Sequence, residues 1–291
     1  MKRFKIYSTP KQPKKEWVDE TVKTFKDDSR DPIAYIKRIT DPKYDELNEV
    51  VIEDTLNGLA ANPDFYKDVS GFKTTFDFAI SHSDVKDGDL YEFGCWAGSS
   101  LKGLKQSSEN IKYKNVHVFD SFEGLPKEEE GVYRVPVWVE GNFSSKKFFA
   151  TENTEAIKRT MKAISGFDEV NFIEGFYENT LNKETFENNQ FNPAIVVHID
   201  VDIYKSTVEV LEFLFQYKII RKGTVLVYDD FAGIAPFDSG LELYGEKRAH
   251  VELCDKYEAK WEDLNYRYEN SPNPNDYREN VIKILDYKGC P

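Results

Sequence analysis

Apolar and polar positions follow two rhythms along this chain. Up to about residue 85 the texture is polar and charged, interrupted at Pro32, Pro42, Pro63 and Gly71. Within it Ile52, Leu56, Leu59 and Ala60 recur at i, i+4, i+7 and i+8, one face of a helix. This predicts a helical N-terminal extension over residues 1–85 that packs on, or closes over, the remainder of the chain. From Asp89 onward, short apolar runs alternate with amphipathic stretches. Leu90–Gly94, Val116–Asp120, Val170–Gly175, Ala194–Asp202 and Thr224–Asp230 read as strands. Ser99–Gln106, Thr154–Ile164 and Ser206–Tyr217 read as helices between them. That alternation is the signature of βαβ units and predicts an α/β domain over 86–291. Its sheet is expected to be mostly parallel and flanked by helices. A further helical stretch, Gly245–Lys256, precedes two strand candidates, Glu262–Tyr268 and Asn280–Leu285, joined by the polar loop Asn270–Tyr277.

In four of the five runs an acid, or a glycine after an acid, closes the C-terminal end: Asp120, Glu174–Gly175, Asp200/Asp202 and Asp229–Asp230. Open parallel sheets bind their ligands at that edge, so acids gathered there mark a candidate site. Strand alternation would place Asp200 and Asp202 on one side. Several carboxylates buried together either take up protons or bind a cation. Ligands that offer only oxygen suit Mg²⁺, Mn²⁺ or Ca²⁺ better than zinc.

The stretch YEFGCWAGSS supplies Gly94 and Gly98 for a tight strand-to-helix turn with close ligand approach. Asp120 ends the next strand 22 residues after Gly98, where an acid accepts hydrogen bonds from a ribose diol; a helix N-cap is the alternative. The dehydrogenase fingerprint G-x-G-x-x-G is not met. Trp96 lines a cofactor pocket or packs. The aromatic segment Gly131–Phe149 reads as a lid, with Tyr133, Trp138 and Phe143 placed to stack on a sugar, or as chance clustering. His198 reads as a hydrogen-bonded core histidine rather than a catalytic one, and Glu128–Glu130 as a solvated turn.

Composition narrows the partners. Lys and Arg total 39 against 52 Asp and Glu, a net charge of −13, which argues against a nucleic-acid or anionic-membrane binder. With 40% hydrophobic and 31% charged residues, the chain is globular in composition. No window offers the run of about 18 apolar residues that a membrane span needs. Three cysteines give neither a disulfide framework nor zinc spacing, which fits a cytoplasmic protein.

YEFGCWAGSS, VFDSFEGLP (Val118–Pro126), VVHIDVDIYKST (Val196–Thr207) and VLVYDDF (Val225–Phe231) together resemble the macrocin-type sugar O-methyltransferases. GEKRAHVEL (Gly245–Leu253) resembles that family's helix after the fifth strand, and the likeness runs from about Asp89 to about Cys254. The segment Ile234–Tyr244 looks particular to this chain. The resemblance implies a class I methyltransferase (Rossmann-like) fold, S-adenosylmethionine and a divalent metal, Mg²⁺ or its relatives Mn²⁺ and Ca²⁺. It assigns the cofactor to Glu92, Gly94, Trp96, Gly98, Ser99, Asp120, Ser121, Glu174, Gly175 and Phe176. It assigns the metal to Asp200, Asp229 and Asp230, with Asp200 also the catalytic base and Asp202 an outer candidate. The implied acceptor is a small-molecule sugar or glycan, such as a nucleotide sugar, a glycan or a glycosylated metabolite, with a lean toward surface-polysaccharide biosynthesis. Self-association into a homo-oligomer stays open.

Two other readings compete. Asp200-Val201-Asp202 is also the pattern by which metal-dependent glycosyltransferases hold a nucleotide-sugar diphosphate; the glycine turn and the second acid pair speak against it. A non-catalytic protein on a methyltransferase scaffold is the other, since fold alone never proves activity.

Overall fold

A computed structural model describes residues 69–135, 138–149, 151–231, 243–266 and 280–291. The helix expected around Ile52–Ala60, most of the N-terminal extension, nearly all of Ile234–Tyr244 and the loop Asn270–Tyr277 lie outside the described residues.

Among the described residues the sheet has seven strands, in the order β3-β2-β1-β4-β5-β7-β6. They are β1 (Asp89–Phe93), β2 (Val116–Asp120), β3 (Asn171–Glu174), β4 (Ala194–Ile199), β5 (Val225–Tyr228), β6 (Lys260–Asp263) and β7 (Asn280–Asp286). β1 to β5 are parallel neighbours. β7 enters antiparallel between β5 and β6. β1, β4 and β5 are buried along their whole length, as parallel strands covered on both faces must be.

The helices are α1 (Ser70–His82), α2 (Ser99–Ser108), α3 (Ser145–Phe149), α4 (Thr154–Ser165), α5 (Tyr177–Thr180), α6 (Lys183–Asn189), α7 (Tyr204–Gln216) and α8 (Gly245–Lys256). On one face Leu90, Val116, Val118, Val196 and Val225 bury Phe76 and Ala79 of α1, Leu101 and Leu104 of α2, and Ile157 and Met161 of α4. On the other face Tyr91, Val197, Ile199 and Leu226 meet Val210, Leu211 and Leu214 of α7 and Ala249 and Leu253 of α8. The i, i+4 pair Ile157–Met161 is the inward stripe of α4. That helix starts where the Asn153 side chain accepts the Ala156 amide and stops at Gly166, whose φ is +80°. α1 and α2 pack closely because Gly103 has no side chain; a Cβ there would sit 2.6 Å from Cβ of Phe72.

Two expectations need correction. The run Ala194–Asp202 is strand only to Ile199; Asp202 turns the chain with φ +60° and the Ile203 amide bonds back to Val201 O at 2.6 Å. Asp200 and Asp202 are therefore brought together by a turn and not by strand alternation. Tyr133 and Trp138 do not stand ready to stack on a ligand. They are buried with Val135, Ile203 and Tyr244 in a small third core, leaving Phe143 partly exposed at its margin.

Candidate active site

The chain winds outward through β1, β2 and β3, then returns through β4 and β5. The crevice between the C-terminal ends of β1 and β4 is thus the topological switch point at which such sheets bind ligands. The glycine turn, Asp120 and all the predicted acids meet at that edge.

Gly94 leaves β1 with φ +79°, and its amide donates to Phe119 O at 2.9 Å. A Cβ at Gly94 would overlap the carbonyl oxygen of Asp200, so the turn and the acid-bearing loop after β4 touch through backbone alone. Trp96, also at positive φ, is half-buried, with its ring edge-on to Phe148 at 5.1 Å. Gly98, φ +82°, leads into α2, which begins at Ser99.

Asp120 holds this turn. Its Oδ2 accepts the amides of Cys95 at 2.8 Å and Trp96 at 3.2 Å, and its Oδ1 accepts that of Phe122 at 2.6 Å. The N-cap alternative fails, because no helix starts there. Burial pushes the Asp120 carboxyl up, against the pull of those three amides. Ser121 Oγ accepts the Glu123 amide at 3.1 Å in the next turn. The end of β3 joins the group when the Gly175 amide donates to Asp120 O at 3.1 Å. Glu174 is exposed and paired with Lys158 at 2.8 Å; burial opposes its ionisation, but Lys158 holds its carboxyl below the ordinary value. Phe176 is half-buried beside it.

Glu92 lies one step below the turn and is fully buried. One oxygen accepts from Ser100 Oγ and lies 3.2 Å from His198 Nδ1, while its Oε2 has no partner among the described residues. His198 is the core histidine expected, edge-on to Phe76 at 5.1 Å.

The acids form two overlapping groups. Ligand atoms of His198, Asp200 and Asp229 lie within 4.8 Å of one another, and so do those of Asp200, Asp202 and Asp230. Asp200 belongs to both, and the expected set of Asp200, Asp229 and Asp230 does not gather as one group: Asp229 falls with His198, and Asp230 with Asp202. Burial and then the charges of Asp229, Asp202 and Asp230 push the Asp200 carboxyl well above the ordinary range. Burial and Glu246 do the same to Asp202. Like charges this close ionise together only when a cation offsets them; without one, some of the carboxyls hold protons.

Two acids escaped the sequence reading. Glu246, in the first turn of α8, is fully buried and sits beneath the cluster: Oε1 accepts the Val201 amide at 3.2 Å and Oε2 the Asp230 amide at 3.1 Å. An acid opening a helix reads as solvated, so only the placement of α8 over the sheet edge could have raised it. Glu128 is buried as well and bonds the start of α7, which corrects the solvated-turn reading.

The macrocin-O-methyltransferase family, TylF, matches residues 50–254, beginning inside the segment read as an extension. No curated protein matches the chain significantly. Among solved structures, the O-methyltransferase NovP is 20% identical, with 75% of this chain and 79% of that chain covered and a TM-score of 0.50. The calicheamicin methyltransferase CalS11 is 14% identical, with 97% and 99% covered and a TM-score of 0.49. At such identities the likeness to NovP is one of fold, and the fold is the class I methyltransferase arrangement expected from the sequence.

Proposed function

The chain belongs to the macrocin-O-methyltransferase (TylF) family, and on that premise we propose that it methylates a sugar hydroxyl, using S-adenosylmethionine and a divalent cation. One observation carries the reading: the Asp120-held glycine turn and the acid cluster abut through the Gly94–Asp200 contact. A methyl donor bound at the turn and a hydroxyl held by the acids would therefore be neighbours.

The residues suit both groups. The unpartnered, fully buried Glu92 Oε2 is an acceptor for the cofactor's ammonium, since a buried oxygen without a donor is costly. Asp120, at the C-terminal end of β2 and bonded to the amides of the glycine turn, is the acid this reading assigns to the ribose. This reading assigns Ser99, Ser121, Trp96 and Glu174–Phe176 to the same cofactor. The mutually close carboxylate oxygens of Asp200, Asp202 and Asp230 suit Mg²⁺ or Mn²⁺.

When bound, the sulfonium supplies its own leaving group and the cation stabilises a forming alkoxide. The protein's part is positioning and proton transfer. Asp200, Asp229 and Asp230 hold the acceptor end, and a carboxylate oxygen of Asp200 takes the hydroxyl proton as general base. The turn fixes the donor, and in-line placement of two held reactants is worth effective molarities of ~10⁵–10⁸ M. Among the described residues no helix is long and apolar enough to cross a membrane, and Cys95, Cys254 and Cys290 are free thiols. Both fit a cytoplasmic enzyme acting on a soluble or nucleotide-linked sugar, as surface-polysaccharide biosynthesis requires.

The test is calorimetric titration with S-adenosylhomocysteine, with Mg²⁺ and with EDTA, beside Asp120→Ala. Micromolar binding lost in the variant is the expected result, accompanied by methyl transfer to members of a sugar and nucleotide-sugar panel. Binding of UDP or GDP with none of S-adenosylhomocysteine would instead select the glycosyltransferase reading of Asp200-Val201-Asp202.

A further inference from the structure

We infer that Glu246 is a positioning residue that braces the two acid-bearing loops against each other and so sets the spacing of Asp200, Asp202 and Asp230, whose ligand atoms gather within 4.8 Å, for a divalent cation. The inference rests on the proposed metal-assisted methyl transfer and deepens it. The loops come after neighbouring strands, β4 and β5, and the backbone is tied to the sheet as far as Asp200, whose amide donates to Phe93 O at 2.9 Å, and Asp229, whose amide donates to Ile199 O at 3.1 Å. Glu246 takes one amide from each: Val201, which sits between Asp200 and Asp202, and Asp230. A side chain with a single acceptor could satisfy one of these amides and not both.

The platform is rigid. α8 is anchored by Ala249, His250, Leu253 and Cys254, all buried. Its first residue is seated on the loop it braces, since a Cβ on Gly245 would lie 3.2 Å from Asp202 O and 3.5 Å from the Trp138 ring. A carboxylate in the first turn also faces the positive end of the helix dipole. The cost is a further buried acid beside four others, which works against folding. A residue that adds to local repulsion while ordering both loops makes sense where a cation is to be received. Groups that orient ligands from behind typically change metal affinity 10–100-fold when altered.

The experiment titrates Mn²⁺ calorimetrically into wild type, Glu246→Gln and Glu246→Asp, each with S-adenosylhomocysteine present. Glu246→Gln keeps the size and one acceptor oxygen but loses the second acceptor and the charge. Glu246→Asp keeps the charge but is one methylene too short to span both amides. The brace requires both variants to lose on the order of 10–100-fold in Mn²⁺ affinity, with S-adenosylhomocysteine affinity within about twofold of wild type as the sign of an intact fold. Retained affinity in Glu246→Asp with loss in Glu246→Gln would mean that charge alone matters, and would overturn the brace; so would wild-type affinity in both. A wild type that binds S-adenosylhomocysteine but no Mn²⁺ overturns the metal reading itself, and the brace with it.

Discussion

Glu128 closes the start of α7 from 76 positions earlier in the chain: its Oε2 accepts the Tyr204 amide at 2.8 Å and its Oε1 that of Lys205 at 3.1 Å. The first amides of a helix have no partner within it, and a carboxylate there meets both their hydrogen bonds and the helix dipole. Because Ile203 packs with Tyr133, Val135 and Trp138, the same contact pins the segment after β2 beside the acid loop.

Glu128→Ala is therefore expected to cost about 1–2 kcal/mol, visible as a lower urea midpoint. S-adenosylhomocysteine affinity should stay near wild type, because Glu128 touches neither the glycine turn nor Asp120. A variant as stable as wild type would show the cap to be idle.

Gly94→Ala should be among the most damaging single substitutions. Its φ of +79° disfavours any side chain, and the added carbon would lie 3.0 Å from the Asp200 carbonyl carbon as well as overlapping its oxygen. A loss of roughly 2–4 kcal/mol should appear in thermal unfolding. Loss of S-adenosylhomocysteine binding should accompany it, since the turn must move. Normal binding by a folded variant would separate the turn from the cofactor.

Stability in acid should depend on Asp89, at the opposite end of β1. This buried carboxylate accepts from Asn115 at 3.0 and 3.1 Å, from the Asn192 amide at 2.8 Å and from His117 Nε2 at 3.0 Å. Burial pushes its carboxyl up, but the bonds from His117 and Asn192 outweigh that and hold it below the ordinary 3.8. A folded value below the unfolded one means that the native state binds fewer protons. The contribution is complete above about pH 4 and fades as pH falls through the folded value. Asp89→Asn should cost about 3 kcal/mol at pH 7, and the gap from wild type should narrow below about pH 4. A gap that stays unchanged deep into the acid range would contradict the assignment.

Thiol chemistry offers an inexpensive check of the core. Burial pushes the Cys95 thiol well up, with Asp120 and Glu92 adding to it, and pushes Cys254 up to about 12. Cys290 is only half-buried. A disulfide reagent at mildly alkaline pH should modify one thiol in the native protein and all three after denaturation. Rapid reaction of two or more native thiols would contradict the packing of α8 or of the glycine turn.

The sequence carried the sheet well, because strands buried on both faces are short unbroken apolar runs; Val116–Asp120 begins and ends where predicted. Where it misled, the physics is specific. Val201 and Ile203 are as buried as strand residues, so hydrophobic alternation continues past the last ladder bond of β4 while the backbone has already turned at Asp202. α6 has no buried residue, and a helix without an apolar stripe leaves no periodic mark. Tyr133 and Trp138 fill a core whose other walls, Ile203 and Tyr244, come from distant segments, so the sequence held no hint that they faced inward. The acids at the strand ends were legible from position alone. Glu246 was not, because its partners are backbone amides, which have no signature in side-chain pattern.

The antiparallel insertion of β7 has a consequence for how the protein is made. Asp229 and Asp230 follow the end of β5, whose outer edge pairs with β7, a strand supplied by residues 280–286. During synthesis from the N-terminus, β1 to β4 can assemble while β5 still offers a bare edge open to wrong pairing. The acid centre is thus secured late, when β7 enters between β5 and β6. Shortening the chain so that residues 280–291 are lost would strip the support from beneath the acids without deleting any of them.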